Sequence, residues 1–201
     1  MIVINNFIAG FLTQFAQQPQ LQPWEITGSI ENIVAEKILL LDNAFHIKDG
    51  IAIHKTATIE PTAILKAPVI INENCFVASN ACLRNGVYLA KNVKIGIGCE
   101  IKSSIVFNNS SIAHFNFIGD SIIGNNVNFE AGAIAANHFN ERTDKKITLF
   151  YNDEIILTST EKFGALVGDN STIGANAVLS PGTILSANTV VKRLELVDQQ
   201  K

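Results

Sequence analysis

From Ile51 onward the apolar positions recur every six residues. Ile53, Ile59, Leu65, Ile71, Val77, Leu83, Leu89, Ile95, Ile101 and Phe107 follow one another without a gap, and small residues such as Ala57, Ala63, Cys75, Ala81 and Cys99 sit four places further on. A helix repeats every 3.6 residues and an exposed strand every two, so neither explains a period of six. A short strand followed by a turn, repeated many times, does, because each strand contributes its inward residue once per unit. The pattern slips after Ile112 and Ile118, with Ile123 only five residues on, followed by Phe129 and Ala135. It resumes at Val167, Ile173, Leu179, Leu185 and Val191. Between the two regular stretches, residues 137–163 abandon it. A polar NHFNERTDKK segment leads into two apolar runs around Asn152-Asp153, which predicts a hairpin. An insertion that breaks a repeat commonly lines a functional face.

Ahead of the repeat, Ile8, Phe11, Leu12 and Phe15 have helical spacing, and a Pro19–Pro23 segment interrupts them. Ile30, Ile33, Val34, Ile38 and Leu41 predict a helix over residues 28–42, with Thr27 or Ser29 as its N-cap. The expected organisation is an N-terminal helical arm over 1–50, a repeat domain over 51–192 with the insertion at 137–163, and a charged tail over 193–201 beyond the coil. One outer position carries Ile64, Ile70, Phe76, Cys82 and Tyr88, too apolar for open surface. The N-terminal helices or neighbouring subunits are expected to cover it.

Composition narrows the function. The 201 residues are 47% hydrophobic and 16% charged with a net charge of −3, and the 15 basic residues form no stripe, which argues against nucleic acid. There is no run of 18 apolar residues and no leader-like N-terminus, so no membrane partner is expected and a soluble, cytoplasmic protein is. The three cysteines lack metal-ligand spacing, and Cys75 and Cys99 occupy the small core position of the repeat. No metal site is predicted.

Three polar residues stand out from the repeat. Arg84 and Lys102 are 18 residues apart and His114 lies 12 further on, all multiples of the period. Two cations stacked on one face call for an anion between them, a phosphate or a carboxylate, unless both side chains are simply solvated. Glu100 is an alternative neutralising partner for Lys102. His114, at the slip in the repeat, is placed to act as a general base near neutral pH. His46 and His54 are read as structural, and His138 adjoins the insertion.

The hexapeptide pattern resembles the left-handed parallel β-helix family, an all-β fold in which three hexapeptides make one triangular coil. Its members are mostly acyltransferases that work as homotrimers. Residues 81–137 resemble the acetyltransferase half of the bifunctional N-acetylglucosamine-1-phosphate uridylyltransferase/glucosamine-1-phosphate acetyltransferase family. Leu83–Gly86 (LRNG) is similar to its LRPG, Glu100–Lys102 to its E-hydrophobic-K element, and AHFNFIGDSIIGNNVNFEAGAIAAN to its H-x-x-Y-(I/L)-G-D…GxNVNxGAGTI…N block. Spacing is kept without gaps from Arg84 to Asn137. Pro23–Ile26 (PWEI) resembles the PWDL before the family's linker helix, and Phe163–Gly174 resembles archaeal members in particular. The first fifty residues are too few for the family's nucleotidyltransferase domain, which is not expected here.

The resemblance implies a reaction and a set of roles. His114 deprotonates the amine of an amino-sugar phosphate, which attacks acetyl-CoA. Arg84 and Lys102 hold the sugar phosphate, Asn128 and Asn137 orient the sugar, and Ala131 and Ala175 meet the acetyl and pantetheine parts of the co-substrate. The sequence departs from the family at four places. Phe117 replaces a phosphate-contacting tyrosine, His138 replaces a second tyrosine, Glu130 replaces a glycine beside the acyl site, and Thr143 stands where the family has a lysine. Two other readings compete. One is a zinc-dependent carbonic anhydrase, built elsewhere on hexapeptide coils from converging histidines. The other is a non-catalytic scaffold that keeps a sugar-phosphate pocket.

Overall fold

The computed structural model describes residues 1–16 and 20–199. The repeat folds into a left-handed β-helix of short parallel strands, with helices at its N-terminal end and a hairpin insertion. Its inward residues form three columns, one per face. The first face stacks Leu65, Leu83, Ile101, Ile118, Ala135, Leu179 and Val197. The second stacks Ile53, Ile71, Leu89, Val106, Ile123, Val167 and Leu185. The third stacks Ile59, Val77, Ile95, Ile112, Phe129, Ile173 and Val191. Together these columns make the interior core, with Cys75, Ala81 and Cys99 filling its corners.

The columns correct the sequence reading at Phe107. Leu83 and Ile101 face each other 18 residues apart, but Leu89 faces Val106, 17 apart, with an irregularity between Arg84 and Val87. The corner of the earlier coil uses two left-handed residues, Asn85 and Gly86, and that of the next uses Ser103 alone. One residue fewer in the corner moves Val106 inward and turns Phe107 out. Outside the coil, Phe107 is fully buried against Phe11 and Phe15, with ring centroids 5.7 and 6.0 Å away.

This outward aromatic explains what covers the second face. The N-terminal arm lays Ile8, Phe11, Phe15, Trp24, Ile30 and Val34 over the outer side chains Ile70, Tyr88, Ile105, Ile122 and Leu166. The helix predicted over 28–42 is shorter, α2 (Ile30–Ile38), and a separate helix, α1 (Pro23–Gly28), precedes it; Ser29 at the junction makes no side-chain cap. The first stretch forms only a 3-10 turn, Ile4–Asn6, and a short helix, Phe11–Gln14. Pro19 lies outside the described residues. Asp169 clips the arm to the coil: its N–H donates to the Phe7 carbonyl, and its carboxylate accepts the N–H groups of Ala9 and Asn125. Truncating Phe107 to alanine removes the centre of this packing. The expected loss is about 3–5 kcal/mol in chemical denaturation, and a loss under about 1 kcal/mol would show that the arm is anchored elsewhere.

Two smaller differences follow from the register. The arm is not wholly helical, since Phe45–Lys48 pairs antiparallel with Ile51–His54 and opens the coil. Residues past 192 do not simply leave the coil, because Leu196–Val197 pairs with Val178–Leu179 as a further rung. The hairpin is as expected, Thr148–Tyr151 against Glu154–Leu157, with Asn152 and Asp153 both at positive φ in its two-residue turn. Among the described residues, no helix is long and apolar enough to cross a membrane.

The first face stays open. Its outer column runs Ile64, Cys82, Glu100, Phe117, Ile134, Val178 and Leu196. Ile64, Ile134 and Leu196 are exposed at 51%, 37% and 58%. The helices therefore cover Ile70 and Tyr88 and leave Ile64 bare.

Candidate functional site

Arg84 and Lys102 are register neighbours on the first face, as their spacing predicts. Neither cation is without a partner. Arg84 donates from Nε to Glu100 Oε1 at 2.6 Å, and its Nη2 lies 2.6 Å from the same oxygen. Lys102 donates to Asp120 Oδ2 at 2.7 Å and to the Ser103 hydroxyl at 3.3 Å. Glu100 thus neutralises Arg84 rather than Lys102, and Asp120 is the acid that matters for Lys102. The Lys102–Asp120 pair is nearly dry, with side-chain exposures of 12% and 7%. The same Asp120 oxygen accepts the Asn137 amide, so one carboxylate joins Lys102 to the start of the insertion. The Phe117 ring lies across Gly119 toward that amide. A Cβ at Gly119 would fall 2.7 Å from the ring and 2.9 Å from Asn137 Cγ, so only glycine leaves room for this contact.

Beside this cluster is a groove of about 510 Å³, lined by residues 27–32 at the helix junction, Ser103, Asp120 and the Thr160–Lys162 segment. Gly86, at φ +82°, lets the start of α2 settle on the corner, since a Cβ there would come within 2.7 Å of the Glu31 nitrogen.

His114 stands elsewhere. It belongs to the turn before strand Phe117–Gly119, whereas Asp120 follows that strand. The intervening extended residues put the two corners roughly 15 Å apart. A ladder of backbone bonds defines the corner that holds it. Phe115 donates to the Ile97 carbonyl, Gly132 to His114, Asn176 to Ala131 and Leu194 to Ala175. Ile97, His114, Ala131, Ala175 and the rung of Arg193 therefore follow one another along a single corner. Asn116 also donates from its amide to the His114 carbonyl at 3.2 Å. The His114 residue is exposed, and among the described residues none hydrogen-bonds its ring. Next to it, Phe115 is 67% exposed at φ +54°.

The structure thus sorts the predicted residues into two half-sites. Arg84, Lys102, Phe117 and Asn137 gather at one end of the first face, and His114, Ala131 and Ala175 at the other. Asn128 goes with the second group. It is exposed on the third face between Ser111 and Thr172, and it lines a groove of about 580 Å³ with Glu130, Lys192 and Arg193. Sequence reasoning did not assign Asp120 or Arg193. Asp120 was visible as an acid 18 residues after Lys102, although in the shortened coil the register partner of Lys102 is Gly119. His138 adjoins Asn137, its ring Nδ1 3.4 Å from the Asn137 Oδ1, whereas His46 and His54 lie apart. His54 bonds Thr56 and meets the Phe45 ring edge-on, and His46 pairs with Ile53 in the opening hairpin.

Known proteins resemble the chain over about three quarters of its length. Residues 77–159 match the family described as the GMPPB C-terminal domain. The bifunctional protein GlmU of Methanococcus maripaludis is 30% identical over 151 residues, covering 73% of this chain and 36% of that protein. GlmU of Methanococcus aeolicus is 31% identical over 157 residues, covering 76% and 38%. The bifunctional sugar-1-phosphate nucleotidylyltransferase/acetyltransferase of Sulfurisphaera tokodaii is 29% identical over 160 residues, covering 76% and 39%. The chain is a hexapeptide-repeat protein that resembles acyltransferases built on that repeat. In particular it resembles the acetyltransferase part of the bifunctional GlmU proteins, archaeal ones among them, and spans less than two fifths of the length of these three relatives. A solved structure of AntD, an N-acyltransferase from Bacillus cereus in complex with dTDP and coenzyme A, overlaps at a TM-score of 0.34 with 13% identity, covering 78% of this chain and 81% of that one.

Proposed function

We propose that the chain is a coenzyme A-dependent acyltransferase that acetylates the amine of an amino-sugar phosphate. The observation that carries this reading is that His114 shares with Ala131 and Ala175 the corner at one end of the first face, whose other end holds the Arg84–Lys102 pair. A base beside a donor channel and cations beside a phosphate are the two halves an N-acetylation needs. In the proposed reaction His114 takes a proton from the sugar amine, and the amine nitrogen forms a bond to the thioester carbonyl carbon. The carbon–sulfur bond then breaks, and the thiolate leaves with the proton that His114 returns. Arg84, half exposed beside Glu100, and Lys102 hold the acceptor's phosphate, with Phe117 and Asn137 against the sugar. The relatives' names support the sugar-1-phosphate class of acceptor, one of them being a sugar-1-phosphate nucleotidylyltransferase/acetyltransferase.

Half-sites roughly 15 Å apart on one chain call for a second copy. A cytoplasmic homotrimer packed through the open first face would cover Ile64, Ile134 and Leu196 and would set the His114 corner of one copy against the Lys102 corner of the next. The competing reading is a scaffold without catalysis. What favours it is that Arg84 and Lys102 already hold internal carboxylates.

The deciding experiment is thiol release from acetyl-CoA with glucosamine-1-phosphate and galactosamine-1-phosphate as acceptors, on protein whose mass has been checked by sedimentation. Turnover with a trimeric mass is the expected result. A monomer at micromolar concentration would remove the shared site, and binding of acetyl-CoA without turnover would move the acceptor to another amino sugar. Neither binding nor turnover would leave the scaffold.

A further inference from the structure

The Ala175 N–H lies outside the backbone ladder on its corner. The N–H groups of Phe115, Gly132, Asn176 and Leu194 each bond the carbonyl of the preceding rung. The Ala175 N–H instead donates to a side chain, Glu130 Oε2, at 2.8 Å. That oxygen also accepts Arg193 Nε, and Glu130 Oε1 accepts Arg193 Nη2, each at 2.7 Å. One carboxylate therefore bridges three consecutive rungs at the edge of the groove that Asn128, Thr172 and Lys192 also line.

We propose that Glu130 is an internal occupant of the donor half-site, filling the Ala175 N–H until an incoming thioester donor displaces it, and so sets the affinity for that donor. The inference rests on reading the His114–Ala131–Ala175 corner as the donor side. Its logic is competition for one hydrogen-bond donor. An amide or thioester carbonyl and a carboxylate oxygen are the same kind of acceptor, and the charged one is the stronger. The carboxylate is tethered, so it loses little freedom in binding, and its negative charge repels a phosphate-bearing donor. What holds it in place is weak, because Arg193 is 73% exposed and an exposed ion pair contributes little. The Arg193 guanidinium and then the Ala175 N–H hold the Glu130 carboxyl well below the usual carboxylate range, so it is ionised at neutral pH.

The test is calorimetric titration of the full chain with acetyl-CoA, comparing wild type with Glu130→Ala and Glu130→Gln. The Ala variant is expected to bind about tenfold more tightly, the effect of one freed donor and one removed charge, and Gln to fall between. Glu195→Gln, an acid of the next rung whose carboxylate accepts the Lys192 N–H, controls for net charge and should leave affinity unchanged. Equal or weaker binding by Glu130→Ala, with wild type binding measurably, overturns the proposal and leaves the donor corner standing. Equal tightening by Glu195→Gln also overturns it. No binding by any of the proteins overturns the donor corner and this proposal with it.

Discussion

Replacing Asp120 by alanine is expected to cost about 3–5 kcal/mol of stability, the penalty of leaving one partner of a buried ion pair uncompensated. The side chain serves two groups at once. It neutralises Lys102 in a nearly dry setting and accepts the Asn137 amide. Alanine would also have to hold the left-handed backbone of Asp120, φ +46°, which asparagine tolerates better. Asp120→Asn should therefore lose less than Asp120→Ala while still leaving the ammonium without a counter-charge. For a chain of this size the alanine variant should melt on the order of 10 °C lower. A double replacement, Lys102→Met with Asp120→Leu, should recover most of the loss because it removes both charges together. If Asp120→Ala melts with the wild type, the pair is not holding this corner and the account of the cluster fails.

His114→Ala should behave in the opposite way, with stability kept and turnover lost. The residue is exposed, so little packing goes with it, while removal of a general base costs about 10²–10⁴-fold in rate. Mixing separates this from a generic loss. A His114→Ala chain keeps its cations, and an Arg84→Ala chain keeps its base. If each site takes its base from one copy and its cations from the next, random mixed trimers regain intact sites at roughly one interface in four. Recovery toward that level after co-refolding two inactive variants is the expected result. No recovery, with mixed trimers shown by mass, would place base and cations on the same chain.

The scaffold was plain in the sequence because one buried aliphatic per strand leaves a mark every six residues, and no other fold element has that period. Phe107 shows where such reading stops. Val106 and Phe107 are both apolar, and the choice between them depends on whether a corner holds one residue or two, which Ser103 decides through its backbone. The Lys102–Asp120 pair was open to the same reading, since the two lie 18 residues apart, and went unassigned. Leu196–Val197 escaped although Val197 lies on the period, six residues after Val191, because Glu195 takes the position that small residues fill elsewhere. The site was legible in part. Eighteen residues return the chain to the same face, so Arg84 and Lys102 came out as neighbours. Twelve residues return it only to a different side of the triangle, and so His114 lies away from the pair it had been grouped with. Glu130 was visible as an acid where a glycine was expected, but its partners Ala175 and Arg193 lie 45 and 63 residues away and had no local signal.

The closing bonds of the insertion have a consequence for how this coil tolerates change. Residues 137–163 leave and re-enter at one corner, where Phe163 donates to the Asn137 carbonyl and Gly164 to that of Asp120. Ile123 pairs with Val167, 44 residues on, and subtracting the 27 residues from 137 to 163 leaves 17, the length of the preceding turn from Val106 to Ile123. The coil thus counts its rungs as if the excursion were not there. Lengthening, trimming or exchanging the hairpin changes what overhangs the groove beside Asp120 while every later column keeps its phase. The chain has a fixed axle and an exchangeable attachment, and new acceptor preferences can arise in the attachment without the axle being rebuilt.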